Sequence, residues 1–379
     1  MRVLITGAEG FIGQNLQSRL AERSDIQLIC FGRSDEPEVL RPLLNCADFV
    51  IHLAGVNRPV DPQDFHAVNL DLTQTLCDGL SEIAQFSNRK IPVIYASSTQ
   101  AANINPYGQS KKAAEDVLFS MQREHGVPVH VFRLPNIFGK WCKPNYNSVV
   151  ATFCYNLTRG LPIEINDPNA SLNLVYIDDL VETFIALMFE PESATNVMKR
   201  PAHFLEVEPT YRTTVGELAS VLNNFVLSRN TLITPPVGIG LTRALYSTFI
   251  SYIPPEGFTY VIPRHEDARG VFVEMLKTES SGQFSYFTAH PGVTRGGHYH
   301  HSKSEKFLVI KGEARFKFRH LLTGQTHELE THGDSPRVVD TVPGWTHDIT
   351  NIGESELIVM LWANEVFDPS RPDTIACPV

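Results

Sequence analysis

No run in this 379-residue sequence approaches the roughly 18 uninterrupted apolar residues of a membrane-spanning helix, so no membrane segment is expected. Met1 to Thr6 lead straight into a strand and a glycine turn, without the basic and apolar regions of a leader. The six cysteines form no CxxC pair, and a chain of this length does not need staples. Free thiols in a reducing, cytoplasmic compartment are therefore a better reading than disulfides. Positive charge is short as well: 32 Lys and Arg against 42 Asp and Glu leave a net charge of −10. This excludes a general attraction to nucleic acid or anionic membrane, and any phosphorylated ligand needs a local cationic site. Low-complexity and repeat tracts are missing, which removes fibrous and disordered classes. The length exceeds the roughly 250 to 300 residues that one core serves, so two domains are expected.

The first two thirds alternate short apolar runs (Arg2 to Thr6, Gln27 to Phe31, Phe49 to Leu53, Val93 to Ala96, Val129 to Arg133) with amphipathic stretches. Continuous apolar strands separated by helices indicate a parallel sheet covered on both faces, a doubly wound α/β domain. Beyond Pro254-Pro255-Glu256-Gly257 the pattern becomes strand-rich, as in Phe284 to Thr288, Glu305 to Ile310, Ala314 to Phe318 and Leu357 to Leu361, which suggests an all-β sandwich or barrel. The expected division is 1–245, a linker at 246–257, and 258–379. Nine of the 14 histidines lie beyond residue 257, so the last part uses imidazole.

RVLITGAEGFIG at residues 2–13 places Gly7, Gly10 and Gly13 between a strand and a helix opening at Phe11 and Ile12. Such a turn lets a pyrophosphate approach the backbone at the positive helix N-terminus. The second strand ends in Gly32-Arg33-Ser34. A basic residue there suits the 2′-phosphate of NADP, whereas Asp35 serves NAD if the strand ends later. Further on, Tyr107 and Lys111 form YxxxK on one helical face, with Ser98 at the preceding strand end. In a carbonyl reductase the tyrosine donates a proton to the developing alkoxide, the lysine lowers its pKa and holds ribose, and the serine anchors the carbonyl.

With TGAEGFIG at 6–13, HLAG at 52–55, YGQSK at 107–111, RLPNIFG at 133–139 and VYIDDLV at 175–181, the first 245 or so residues resemble the nucleotide-sugar members of the extended short-chain dehydrogenase/reductase family, with its Rossmann-type fold. The resemblance implies that Leu53, Ala54 and Gly55 lie along the cofactor and that the Asn136 region shapes a sugar-nucleotide pocket. Lys140, Lys143, Asn145, Tyr146 and Asn147 are candidate diphosphate or sugar ligands. Only eight residues separate Ser98 from Tyr107, a shorter connection than in many relatives, and Ser98-Thr99-Gln100 lacks the Asp-Glu pair of the dehydratases.

Gly292, His298, His300, Glu305 and Gly312 fit G(x)5HxH(x)4E(x)6G, and His347 precedes Asn351 by four residues after a contracted Pro343-Gly344 segment. These motifs resemble a small-barrel cupin over 258–379. Two histidines sharing a strand face, a third histidine and a carboxylate suit a zinc or other divalent ion. RGGHYH(x)5K, together with Asp267-Ala268-Arg269-Gly270, also resembles deoxysugar epimerases, in which a histidine base works without metal beside a lysine, here Lys306. Both readings lead to removal of a proton beside a 4-keto group.

The fusion, with HLAGVNRP, GKWCKPNYNSVVATFCYN, HYHHSKSEKFLVIKG and NEVFDPSRPDT, resembles the bifunctional reductase–cupin enzymes of UDP-N-acetyl-L-fucosamine synthesis in capsule and O-antigen pathways. This implies C3 epimerisation of a UDP-2-acetamido-2,6-dideoxy-4-keto-hexose in the barrel. NADPH-dependent C4 reduction to UDP-2-acetamido-2,6-dideoxy-β-L-talose follows, in a homodimer with a zinc-binding cupin. A reductase–epimerase for a different 4-keto sugar, or a non-catalytic NADP-sensing scaffold, stays open at this point.

Overall fold

A computed structural model describes residues 1–58, 61, 64–189, 204–267, 270–273, 275–278, 282–365 and 370–379. Ala268 and Arg269 of the expected DARG motif lie outside the described residues. Contacts divide the chain into two compact units, one of Met1–Ile137 with Asn173–Thr210, the other of Phe138–Leu172 with Tyr211–Val379. This division does not coincide with a cut at 245–257. The helix Val149–Leu157 packs on the helices Val215–Thr231 and Gly240–Ser251, and all three group with the C-terminal strands.

In the first unit, strands 27–31, 2–6, 49–52, 93–98, 129–134 and 204–205 form a parallel sheet in that order. The apolar runs of the inner strands are buried because helices cover both faces: Val3, Leu4, Ile5, Val50, Ile51, Val93 and Ile94 are wholly inaccessible, whereas the edge strand 27–31 buries only Phe31. The order reverses between strands 2–6 and 49–52, and ligands of open α/β sheets bind at the carboxyl ends of strands at such a switch. The glycine turn leaves the first of these strands, and Leu53-Ala54-Gly55 leaves the second.

The second unit holds two five-stranded antiparallel sheets, in the orders 259–261, 337–340, 305–311, 357–363, 283–289 and 326–332, 313–320, 345–351, 294–299, 375–376. Alternation along each strand buries one side, as in Glu313–His320, where Ala314, Phe316 and Phe318 point inward. Phe307 of one sheet meets Phe316 of the other, with ring centroids 5.7 Å apart. The expected combination of Rossmann-type α/β and cupin-like all-β architecture is therefore what the chain adopts. No helix among the described residues is long and apolar enough to cross a membrane, and all six cysteines are free.

Candidate active sites

In the first unit Gly7 has a φ of +69°, and a Cβ there would lie 2.7 Å from the Ala54 nitrogen. A Cβ on Gly13 would meet the Gly7 oxygen at 2.5 Å. Both positions therefore exclude any side chain. The helix Phe11–Leu20 starts at Gly10 with no side-chain cap and no acidic residue in its first turn, which leaves its positive end to an anion. Arg33 and Ser34 are exposed just past the second strand. The Asp35 carboxylate instead accepts the Gly32 N–H at 2.7 Å, closing its own turn.

Ser98 caps the short 3-10 helix Thr99–Ala102, its Oγ accepting the Gln100 N–H at 3.2 Å. The trimmed connection works because the next residue after Tyr107 is glycine: a Cβ on Gly108 would fall 2.2 Å from the Gln100 oxygen. Asn105 caps the helix Pro106–His125, which carries Tyr107 and Lys111 one turn apart. Lys111 is buried and donates to the Ala96 carbonyl at 2.9 Å, with its Nζ 4.8 Å from the Tyr95 ring centre. A Cβ on Gly55 would come within 3.1 Å of that Nζ, so the lysine lies directly against the 53–55 turn. Burial pushes its pKa down to about 8, with Glu115 acting in the opposite sense. Glu115 is held by Ser97 and by both nitrogens of the Arg133 fork.

A hydrogen-bonded chain that the motifs did not reveal ties these parts together. The Ala54 N–H donates to Thr6 Oγ1, and Thr6 Oγ1 lies 2.6 Å from His52 Nδ1. His52 Nε2 lies 2.8 Å from Thr73 Oγ1, which donates to the Asn69 carbonyl. The Asn69 side chain receives the Val56 N–H and donates to Ser110 Oγ, whose hydroxyl donates to the Tyr107 carbonyl. Burial, reinforced by Lys111, lowers the His52 pKa to about 3, so the folded state keeps this imidazole neutral. The unfolded chain protonates it below about 6.5. Its contribution to stability is therefore complete above 6.5 and is lost as pH falls toward 3, at up to about 1.4 kcal/mol per pH unit. Urea unfolding from pH 7 to 4.5 should show this slope, and His52→Gln should lessen it; equal slopes for the two proteins would contradict the assignment.

Asn136 is exposed in the first unit. Lys140, Lys143, Asn145, Tyr146 and Asn147 all belong to the second unit. Lys143, Asn145, Tyr146 and Asn147 are exposed, and Lys143 Nζ lies 5.3 Å from the Tyr146 ring centre. Lys140 is buried. Trp141 between them has a φ of +68°, rare for a bulky residue, and packs on Gly344, where a Cβ would come within 2.9 Å of its ring. The contracted Pro343-Gly344 motif thus anchors this loop on the barrel.

His298, His300, Glu305 and His347 converge in the barrel, with ligand atoms all within 4.8 Å of one another. A bulge at Gly296–His298 sets His298 directly opposite His347 on the neighbouring strand. Glu305 comes from the facing sheet. The His300 Nδ1 lies 2.5 Å from the Asp373 carbonyl, an acceptor only, so this nitrogen carries the proton. His300 Nε2 then turns a lone pair toward Glu305 Oε2 at 3.1 Å. Two acceptors at that distance require a positive charge between them, a proton or a cation. Neither ring nitrogen of the buried His347 has a hydrogen-bond partner, and its Nε2 stands 3.7 Å from the same carboxylate oxygen. Burial lowers the His298 pKa to about 4 and lowers that of His347. Glu305, despite its burial, is held well below the usual carboxylate range by His300, His347 and Lys303. Buried imidazoles around a buried carboxylate are a donor set that a divalent ion takes.

Lys306 is not part of this cluster, which corrects its expected role there. Successive strand residues face opposite sides, so Glu305 points inward and Lys306 outward. Its Nζ binds Asp340 Oδ1 at 2.6 Å and the Tyr260 hydroxyl at 3.1 Å, and Arg229 holds the other Asp340 oxygen at 3.0 Å. Burial opposes its charge, but Asp340 prevails and raises its pKa. Lys306→Met leaves Asp340 with Arg229 alone. Stability should fall by about 3 kcal/mol in a denaturant titration; unchanged stability would contradict this placement of Lys306. The lysine at the cluster is Lys303, whose Nζ lies 3.0 Å from Glu305 Oε1.

Residues 3–198, more than half of the chain, match the NAD dependent epimerase/dehydratase family. The chain belongs to that family. Residues 265–375, beyond the part matched by the NAD dependent epimerase/dehydratase family, match the polysaccharide biosynthesis C-terminal domain. The chain is 55% identical over 379 residues, 100% of its length and 99% of the relative, to UDP-2-acetamido-2,6-beta-L-arabino-hexul-4-ose reductase of Pseudomonas aeruginosa. Among solved structures it is similar to the capsular polysaccharide assembling protein CapF of Staphylococcus aureus, at 38% identity and a TM-score of 0.65, with both chains fully covered. UDP-glucuronic acid 4-epimerase of Bacillus cereus, at 17% identity and a TM-score of 0.54 over 67% of this chain and 99% of that one, shares the fold.

Proposed function

We propose that this chain is a bifunctional nucleotide-sugar enzyme. In this reading the barrel epimerises C3 of a UDP-2-acetamido-2,6-dideoxy-4-keto-hexose, and the Rossmann-type unit reduces the C4 ketone with NADPH to UDP-2-acetamido-2,6-dideoxy-β-L-talose. The observation that carries it is the convergence of His298, His300, Glu305 and His347 in the same chain as a helix that bears Tyr107 and Lys111 one turn apart, close after Ser98 at the end of its strand. Full-length similarity to a UDP-sugar 4-keto reductase supports the substrate class.

Ser98 binds the ketone oxygen, Tyr107 delivers a proton to it as negative charge develops, and Lys111 keeps a positive charge beneath the phenol. A bound nicotinamide supplies the hydride. Gly7, Gly10, Phe11, Ile12, Gly13, Leu53, Ala54 and Gly55 line the cofactor, and the exposed Arg33 favours NADPH, because Asp35 is engaged with Gly32. Asn136 of the first unit is assigned to the sugar nucleotide. In the barrel a proton leaves C3, made acidic by the neighbouring ketone, and returns to the opposite face. His298, His300, Glu305 and His347 would hold a divalent ion, zinc or another, which when bound would supply positive charge beside the ketone oxygen. A homodimer belongs to the same reading, supported by the exposed Phe284, Tyr286 and Ile310 on one barrel sheet. A cytoplasmic setting is supported by the free thiols.

Purified protein supplied with the 4-keto UDP-sugar should oxidise NADPH in stoichiometric amount and faster than NADH. No oxidation of either nucleotide with this or any related 4-keto UDP-sugar would overturn the reading in favour of a non-catalytic scaffold.

A further inference from the structure

Between the strands that carry His298 and Glu305 runs a turn, residues 300–304, that holds His300 and Lys303. The C-terminal strand Ile375–Ala376 pairs with His298 and Tyr299, and this register brings Asp373 alongside the turn. Asp373 then makes a dense set of contacts. Its Oδ1 accepts the His301 N–H at 2.8 Å, while Oδ2 accepts the N–H groups of Ser302 and Lys303, each at 2.7 Å, and the Ser302 hydroxyl at 3.1 Å. Its main-chain carbonyl accepts from His300 Nδ1. The Lys303 side chain bridges Glu305 Oε1 and the hydroxyl of the next residue along, Thr374, at 3.0 and 3.2 Å.

We propose that Asp373 is a positioning residue of the barrel centre. Its carboxylate clamps the 301–303 turn, its carbonyl fixes the tautomer and plane of His300, and through Lys303 it limits Glu305 to a single oxygen facing the cluster. The inference rests on the reading that the cluster holds a divalent ion. Outer-shell partners orient ligands in this way, and their loss lowers metal affinity about 10- to 100-fold. The clamp fits a carboxylate and not its amide, because two oxygens receive four donors and an amide nitrogen would confront N–H groups with N–H groups.

Zinc affinity of the full-length protein, measured by competition with a chromogenic chelator, tests this. Asp373→Asn should weaken zinc binding about 10- to 100-fold, and Asp373→Glu, which keeps the charge, should recover part of the loss. Thermal melts with and without zinc should show the zinc-induced rise shrinking in both variants; a purely structural residue lowers both melts equally and leaves affinity unchanged. Wild-type affinity in both variants would overturn the proposal. His298→Ala serves as the reference: if it binds zinc as wild type does, the metal reading itself fails, a result distinct from intact affinity in the Asp373 variants alone.

Discussion

Tyr107→Phe should lower NADPH oxidation by about 10²- to 10⁴-fold, the usual worth of a positioned proton donor. The variant should still incorporate solvent deuterium at C3 of the 4-keto sugar. Phe keeps the ring and removes only the hydroxyl, so the helix Pro106–His125, its Asn105 cap and the buried Lys111–Ala96 bond stay in place. The lost rate therefore reports proton delivery and not a disturbed fold. Exchange survives because its groups lie on other strands of other sheets. Parallel loss of both activities would contradict the division of labour between the units.

The second large effect runs the other way. Glu305→Gln and His298→Ala should each bring deuterium incorporation to background and lower metal content, since the first exchanges an ionised oxygen for a weak neutral one and the second deletes one of four donors in a centre whose His347 nitrogens have no other partner. Loss of Glu305 also removes the only anion in the cluster, leaving the Lys303 ammonium to repel a divalent ion. NADPH oxidation should persist when sugar already inverted at C3 is supplied. Metal analysis alongside NMR of the recovered sugar checks both parts, and exchange that survives metal loss would favour a metal-free base.

The motifs that were legible in the sequence are local ones. Gly7, Gly10 and Gly13 fall within one turn, Tyr107 and Lys111 within one helical turn, and His298, His300 and Glu305 within eight positions, so spacing alone implies their proximity. The naming of Lys306 shows where spacing fails. Strand alternation begins only at Glu305, so Lys306 inherits the outward face, whereas Lys303 sits in an irregular turn whose direction no periodicity describes. Asp373, Asn69 and the Arg229–Asp340 pair were not legible because each meets its partner across dozens of residues through a pairing register or a helix docking. The grouping of 138–172 with the C-terminal strands has the same origin, since Trp141 and Gly344 meet only in the fold.

The most direct test of the central claim is the isotopic pattern of the product formed by the wild-type protein in deuterated water from the 4-keto UDP-sugar and unlabelled NADPH. Inversion in the barrel followed by reduction in the Rossmann-type unit predicts one deuterium, at the inverted C3, and protium at C4. A reduced product with protium at C3 and unchanged C3 stereochemistry would contradict it.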